Sequence, residues 1–119
     1  MVHGHSGLDE LSLSGSNRVS ELRAGRVRTY ALDAPDLGLR RADLAELKGG
    51  DAAYNARITR RILGGQEQGP MRDAVLLNAA MGLAVPDGDW QSALQRARAS
   101  LDGGAALRAL ERLVEVSNR

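Results

Sequence analysis

Paired glycines divide the later part of this 119-residue chain into segments of helical length. The pairs stand at residues 49–50, 64–65 and 103–104, and a Pro-Asp-Gly run at residues 86–88 makes one further break. Glycine is unfavourable inside a helix and favoured just past its end, so each break predicts a helix terminus. The spacing therefore predicts four helices after residue 50, joined by short turns.

The interior of such a chain must be built from small and aliphatic side chains. Hydrophobic residues make up 43% of the sequence but aromatic residues only 3%, with no Phe, so Leu, Ala, Val and Ile must form the core. A length of 119 residues is suited to one domain. The formal net charge of +1 argues against an electrostatic surface for nucleic acid or an anionic membrane. The lack of cysteine excludes disulfides and thiolate metal sites.

Local signals set the expected helix boundaries. A short helix is predicted over Arg41–Lys48. Asp51 caps the next helix and Pro70 begins a third, whose residues 74–81 are apolar nearly all round and predict the most buried helix. Asp89 caps the fourth helix. The fifth is expected to bury one apolar stripe, consisting of Leu107, Leu110, Leu113 and Val114.

The N-terminal part has strand signals. Residues 18–22 and 26–32 read as two short strands around Arg23-Ala24-Gly25, which predicts a β-hairpin. Residues 33–38 contain Pro35 and Gly38 and break the strand pattern.

Residues 3–10, which read His-Gly-His-Ser-Gly-Leu-Asp-Glu, contain the best candidates for direct chemistry. Adjacent Asp9 and Glu10 follow a glycine-rich turn, and carboxylate oxygens suit Mg²⁺. The alternative interpretation of Asp9 and Glu10 is a surface turn followed by an acid that caps a helix. A zinc site at His3 and His5 would need further ligands, so we expect His3 to hold the loop by hydrogen bonding and His5 to be exposed.

Other polar residues have structural explanations. Glycines 49 and 50 look like part of a phosphate loop, but Asp51 would put a negative charge where the phosphate should go, which favours helix capping. Arg72 is expected to pair locally and Asp73 to favour the helix dipole. Asn78 is expected to be a satisfied polar group that holds a neighbouring loop. A solvated helix face is predicted for Arg57, Arg60 and Arg61.

Three runs together carry a resemblance to a known family. Residues 3–10, residues 49–56 (Gly-Gly-Asp-Ala-Ala-Tyr-Asn-Ala) and residues 69–80 (Gly-Pro-Met-Arg-Asp-Ala-Val-Leu-Leu-Asn-Ala-Ala) resemble the C-terminal portion of the anthranilate phosphoribosyltransferases. The resemblance implies part of the C-terminal α/β domain of a nucleoside phosphorylase/phosphoribosyltransferase-type fold. This chain would be a single partial domain, mostly α-helical, with a metal-binding loop over 1–16, a β-hairpin over 17–32 and a helical portion over 41–117.

The resemblance also implies an activity. The complete enzyme transfers phosphoribosyl from phosphoribosyl pyrophosphate to anthranilate in tryptophan biosynthesis, as a cytoplasmic homodimer. Asp9 and Glu10 would bind the Mg²⁺ that contacts the pyrophosphate, and neither would be an acid or base. The resemblance assigns no catalytic residue to this chain and places the substrate-binding loops upstream of Met1, so we expect the 119 residues to be inactive alone.

Three other interpretations remain open at this stage. A pyrimidine nucleoside phosphorylase-like fragment also breaks a ribosyl bond, but the acid pair and residues 69–80 fit it less well. A non-catalytic relative could bind nucleic acid or a partner chain, although charge and aromatic content argue against nucleic acid. A helical module with an attached hairpin would associate or be partly disordered near its N-terminus. No signal peptide or membrane span is predicted.

Overall fold

A computed structural model describes residues 1–119 in full. An antiparallel sheet at the N-terminal end precedes four helices, and this confirms a mostly helical chain of partial α/β type. The strands, which lie in the order β1-β2-β3, are β1 (Val2–His3), β2 (Asn17–Arg23) and β3 (Arg26–Leu32). The helices are α1 (Ala52–Leu63), α2 (Pro70–Ala84), α3 (Trp90–Asp102) and α4 (Ala105–Ser117).

The sheet contains the predicted hairpin and one further strand. Strands β2 and β3 pair from Asn17 opposite Leu32 to Arg23 opposite Arg26. Strand β1 pairs antiparallel to β2, with Val2 opposite Val19. The sheet joins the helices through its inner face, where the Trp90 indole N–H donates to the Tyr30 hydroxyl at 3.1 Å.

The predicted helix caps are confirmed. The Asp51 carboxylate accepts from the Tyr54 N–H at 2.7 Å, and the Asp89 carboxylate accepts from the Ser92 N–H at 2.9 Å. Helices α1 and α3 end at the glycine pairs expected from the sequence. The Gly49-Gly50-Asp51 run is therefore a helix start.

Helices α2 and α3 form the centre of the core together with the segment that follows the acid-bearing loop. Helix α2 has the most buried positions, as predicted, although its outer side leaves Val75 and Leu83 exposed. The core contains no aromatic side chain that is fully buried. Its largest fully buried apolar residues are Leu11, Leu13, Leu76, Leu77 and Leu94.

The helix predicted over residues 41–48 is wrong. Only a 3-10 helix of four residues, Leu44–Leu47, forms there. It begins with reciprocal hydrogen bonds between Asp43 and Glu46 and ends just before the glycine pair. Such a short segment cannot offset the cost of helix nucleation without packing, and none of its residues is buried.

The predicted burial of the fifth helix is also wrong. Helix α4 has no buried residue. Leu107 and Leu110 are half-buried, whereas Leu113 and Val114, in the second half of the helix, are exposed. An apolar stripe predicts which face of a helix would be buried, but burial also needs an opposing surface. Helix α1 behaves similarly, since Ile62 is its one buried residue.

None of the four helices is long and apolar enough to cross a membrane.

Candidate functional site

The acid pair lies on a loop between β1 and β2. Asp9 and Glu10 are both exposed, and neither carboxylate takes part in a hydrogen bond or an ion pair within the chain. Most other acidic side chains near helix or strand ends have such partners, for example Asp33 with Arg41 and Asp51 with the start of α1. The two loop carboxylates therefore have all their oxygen lone pairs available.

The loop folds tightly onto itself at Gly4. The Gly4 N–H donates to the Leu8 carbonyl at 2.8 Å. A Cβ added at Gly4 would lie 2.1 Å from the Glu10 carbonyl oxygen and 2.8 Å from the Leu8 Cβ. Gly4 is buried, so its lack of a side chain is what lets the chain pass this close to the acid-bearing segment.

Asn78 of α2 holds the residue that follows Glu10. Its Oδ1 accepts from the Leu11 N–H at 2.8 Å, and its Nδ2 donates to the Leu11 carbonyl at 2.9 Å and to the Ala74 carbonyl at 3.0 Å. This arrangement confirms the prediction that Asn78 is a satisfied polar group that fixes a loop.

Asn17 at the start of β2 holds the next residue in the same way. Its Oδ1 accepts from the Ser12 N–H at 2.7 Å and from the His5 N–H at 3.2 Å, and its Nδ2 donates to the carbonyls of Ser12 and Leu32 at 3.0 Å each. Sequence reasoning missed this residue. It stands at the end of a Ser/Gly-rich run that reads only as a loop.

The two histidines line a different cleft from the one at Glu10. His3 and His5 line an open, polar cleft of about 520 Å³ beside β2 and β3, whereas Glu10 lies at a different cleft of about 480 Å³ between α1 and α2. His5 is exposed as predicted, and its ring lies against the Gly15 backbone. The expectation that the His3 side chain holds the loop is wrong, because His3 is exposed and the two asparagines make those hydrogen bonds.

Of the two charged residues at the start of α2, Asp73 lies in the first turn as predicted, whereas Arg72 does not pair locally. Arg72 is buried and donates to Asp102 of α3 at 2.6 Å, so its partner is 30 residues away and not local. Burial raises the pKa of Asp73 above its ordinary value of 3.8, although the nearby Arg98, Arg72 and Arg40 oppose the rise. The three arginines predicted to lie on a solvated helix face are all exposed on α1: Arg57, Arg60 and Arg61.

The donor set of the loop fits a hard cation. Mg²⁺ prefers oxygen ligands and is commonly held by one or two carboxylates, with waters and phosphate oxygens completing its shell. Asp9 and Glu10 could supply two such ligands. No group of three or more His, Cys, Asp or Glu side chains that could hold a metal ion exists in the chain, so the geometry does not support a zinc site.

Comparison with known proteins identifies the family of the chain. Residues 1–107 match the model of the glycosyl transferase family, a/b domain. A similar protein is the anthranilate phosphoribosyltransferase of Roseiflexus castenholzii, which is 53% identical over 121 aligned residues. That alignment covers 99% of this chain and 36% of the relative. The chain thus spans about a third of the length of the curated relatives it matches.

Solved structures show the same similarity in three dimensions. Anthranilate phosphoribosyltransferase from Thermus thermophilus matches with a TM-score of 0.85 and 43% identity, over 96% of this chain and 34% of that one. The Saccharomyces cerevisiae enzyme in complex with PRPP and Mg matches with a TM-score of 0.88 and 30% identity, over 99% of this chain and 35% of that one. The relatives and solved structures described above are anthranilate phosphoribosyltransferases. This chain therefore belongs to the glycosyl transferase family, a/b domain, and is similar to the anthranilate phosphoribosyltransferases.

Proposed function

We propose that this chain supplies the cation-binding part of an anthranilate phosphoribosyltransferase. The observation that carries the proposal is the adjacent pair of unpartnered, exposed carboxylates, Asp9 and Glu10, on a loop held by internal hydrogen bonds. Its support from outside the chain is the similarity to enzymes of that name, one of them with PRPP and Mg bound.

The complete enzyme would transfer a phosphoribosyl group from phosphoribosyl pyrophosphate to the amine of anthranilate. The amine nitrogen forms a bond to the anomeric carbon and loses one proton to solvent. The bond from that carbon to the pyrophosphate oxygen breaks, and its electron pair leaves with pyrophosphate. This is a step of tryptophan biosynthesis, for which a cytoplasmic location and a homodimer are the expectations.

The role of the two acids follows from where charge develops. Bound Mg²⁺ would neutralise the negative charge that accumulates on the departing pyrophosphate. Asp9 and Glu10 would hold that ion through carboxylate oxygens and would leave its other positions open for phosphate oxygens. Neither residue needs to donate or accept a proton in this step.

Two carboxylates hold an ion but do not position a sugar or an acceptor amine. We therefore expect the purified 119-residue chain to consume no anthranilate when phosphoribosyl pyrophosphate and Mg²⁺ are added, as followed by anthranilate fluorescence. Sustained turnover by this chain would overturn the proposal that it supplies only one side of the site.

The cation site can be tested separately, by titrating Mg²⁺ into the ¹⁵N-labelled chain and following amide chemical shifts. We expect saturable shifts confined to residues near Asp9 and Glu10, and their loss in Asp9→Asn and Glu10→Gln. Glu111→Gln is the matched control, since Glu111 is likewise exposed and unpartnered but lies on α4. Equal shifts in the wild type and in both loop variants would overturn the assignment.

A further inference from the structure

We propose that Asn78 is a positioning residue that holds the acid-bearing loop in its cation-binding shape. The inference rests on the proposed function of Asp9 and Glu10. It assigns a role in that site to a side chain on α2, which is 67 residues away in the sequence from the loop residue that it binds.

The contact between Asn78 and the loop has an uncommon form. The side-chain amide pairs with both the N–H and the carbonyl of Leu11, as a neighbouring strand would. Leu11 is almost fully buried, at 2% exposure, so no water can replace these bonds while the loop stays in place. The third bond, to the Ala74 carbonyl, fixes the amide to its own helix.

Asn17 completes the arrangement from the other side. Its amide pairs with both backbone groups of Ser12 and also accepts from the His5 N–H. Two consecutive residues, Leu11 and Ser12, are thus each held at both polar backbone atoms by an asparagine. Because Asn17 also holds His5, it joins the two ends of the loop that carries the acids.

The consequence concerns the entropy of cation binding. Asp9 and Glu10 lie between the held points at His5 and Leu11, and Gly4 packs against the Glu10 carbonyl. A loop held in this way need not be ordered when two carboxylates converge on one ion. Without Asn78, the segment after Glu10 would lose its attachment to α2. The entropic cost of ordering that segment would then weaken cation binding.

The test compares Mn²⁺ binding, as a paramagnetic substitute for Mg²⁺, in the full chain and in Asn78→Ala and Asn78→Ser. The serine can still bond to the carbonyl of residue 74 but cannot reach Leu11. The broadening of the amide signals of residues 8–10 measures the affinity for Mn²⁺. Amide hydrogen exchange at Leu11 measures how well the hydrogen bond from its N–H to Asn78 protects that amide. We expect both variants to bind Mn²⁺ at least about tenfold more weakly, which is typical when a group that orients metal ligands is removed, and Leu11 to exchange faster.

Asn55→Ala is the matched control. Asn55 forms the same pair of hydrogen bonds to the backbone of Gly50, before α1. It lines the same cleft as Glu10 but forms no hydrogen bond with the acid-bearing loop. This variant should bind Mn²⁺ as the wild type does. A wild type that shows no saturable broadening near Asp9 and Glu10 would overturn the cation site itself, a result that needs no variant.

Three other results would overturn the role of Asn78 alone. The first is an unchanged Mn²⁺ affinity in folded Asn78 variants, and the second is a loss as large in Asn55→Ala. The third is unfolding of both Asn78 variants, which would make Asn78 a residue of the fold and not a positioning residue. Weaker binding in variants whose α2 amide shifts remain those of the wild type would support the inference.

Discussion

The immediate surroundings of two aspartates, Asp33 and Asp73, shift the pKa values of their carboxyl groups in opposite directions. Asp33 at the end of the sheet accepts two hydrogen bonds from the Arg41 guanidinium, and these bonds lower the pKa of its carboxyl below the ordinary 3.8. Asp73 lies near three arginines but forms no hydrogen bond with them, and burial raises its pKa. Proximity to positive charge is therefore less important here than direct hydrogen bonding and access to water.

These two shifts predict opposite effects of pH on stability. The pKa of Asp73 is higher in the folded state than in the unfolded state, so its ionisation destabilises the fold as pH rises above 3.8 and through the folded pKa. The free energy of unfolding of Asp73→Asn, relative to that of the wild type, should thus increase as pH rises from below 3.8 and through the raised folded pKa. Urea unfolding at a series of pH values measures this difference.

Asp33→Asn provides the control of opposite sign. The stability that Asp33 contributes is present above 3.8 and is lost as pH falls through its lowered folded pKa. Relative to wild type, this variant should become less stable over the same rise in pH. Curves with the same slope for both variants would contradict the two assigned shifts.

At the scale of elements, the β2–β3 hairpin contains a residue in an unfavourable conformation. Its two-residue turn consists of Ala24 with φ 48° and Gly25 with φ 75°. Two positive φ values in succession are typical of a type I′ turn, which matches the twist of the strands and favours Asn-Gly. Ala24 has a Cβ that disfavours the left-handed region, whereas Gly25 has none.

Replacing Ala24 with Asn should therefore stabilise the chain, by about 0.5–1 kcal/mol. Gly25→Ala should destabilise it by about 1 kcal/mol, because it puts a Cβ at the second left-handed position. Urea unfolding of both variants against wild type measures these changes. A loss of stability in Ala24→Asn would show that the turn differs from type I′ in solution.

The whole molecule exposes more surface than its mass requires. Its accessible surface is 7480 Å², whereas a compact protein of 12.7 kDa has about 6200 Å². The radius of gyration is 15.0 Å, against about 13.5 Å for a compact chain of this length. The excess is partly apolar, since large side chains such as Leu22, Val27, Val85 and Leu113 are at least 60% exposed. The packed core lies mainly along α2 and α3, while α4 and the hairpin tip extend from it.

This uneven distribution predicts different costs for the same substitution. Leu76→Ala, at a position with 0% exposure in α2, should lower the free energy of unfolding by about 2–5 kcal/mol. Leu113→Ala, at 63% exposure in α4, should change it by less than about 0.5 kcal/mol. Both variants remove the same atoms from a helix, so urea unfolding isolates the effect of burial. A comparable loss at Leu113 would show that α4 is packed in solution.

Much of the local structure could be predicted because its causes lie within a few residues. Caps at Asp51 and Asp89 and the Ala24-Gly25 turn each depend on side chains and φ values close in sequence. The acid pair could be proposed for the same reason, from its place beside a glycine-rich turn and from a resemblance. The helix expected over 41–48 failed because propensity and a following glycine pair do not supply a packing partner.

The sequence by itself determined where the four helices after residue 50 and the hairpin lie, and which two carboxylates are candidates for a cation. Tertiary structure alone decided which apolar stripes are buried, since α2 and α3 cover each other while the second half of α4 is exposed. It also decided what holds the acid-bearing loop. The partners Asn78 and Leu11, like Arg72 and Asp102, are far apart in the chain, and only packing brings their polar atoms within hydrogen-bonding distance.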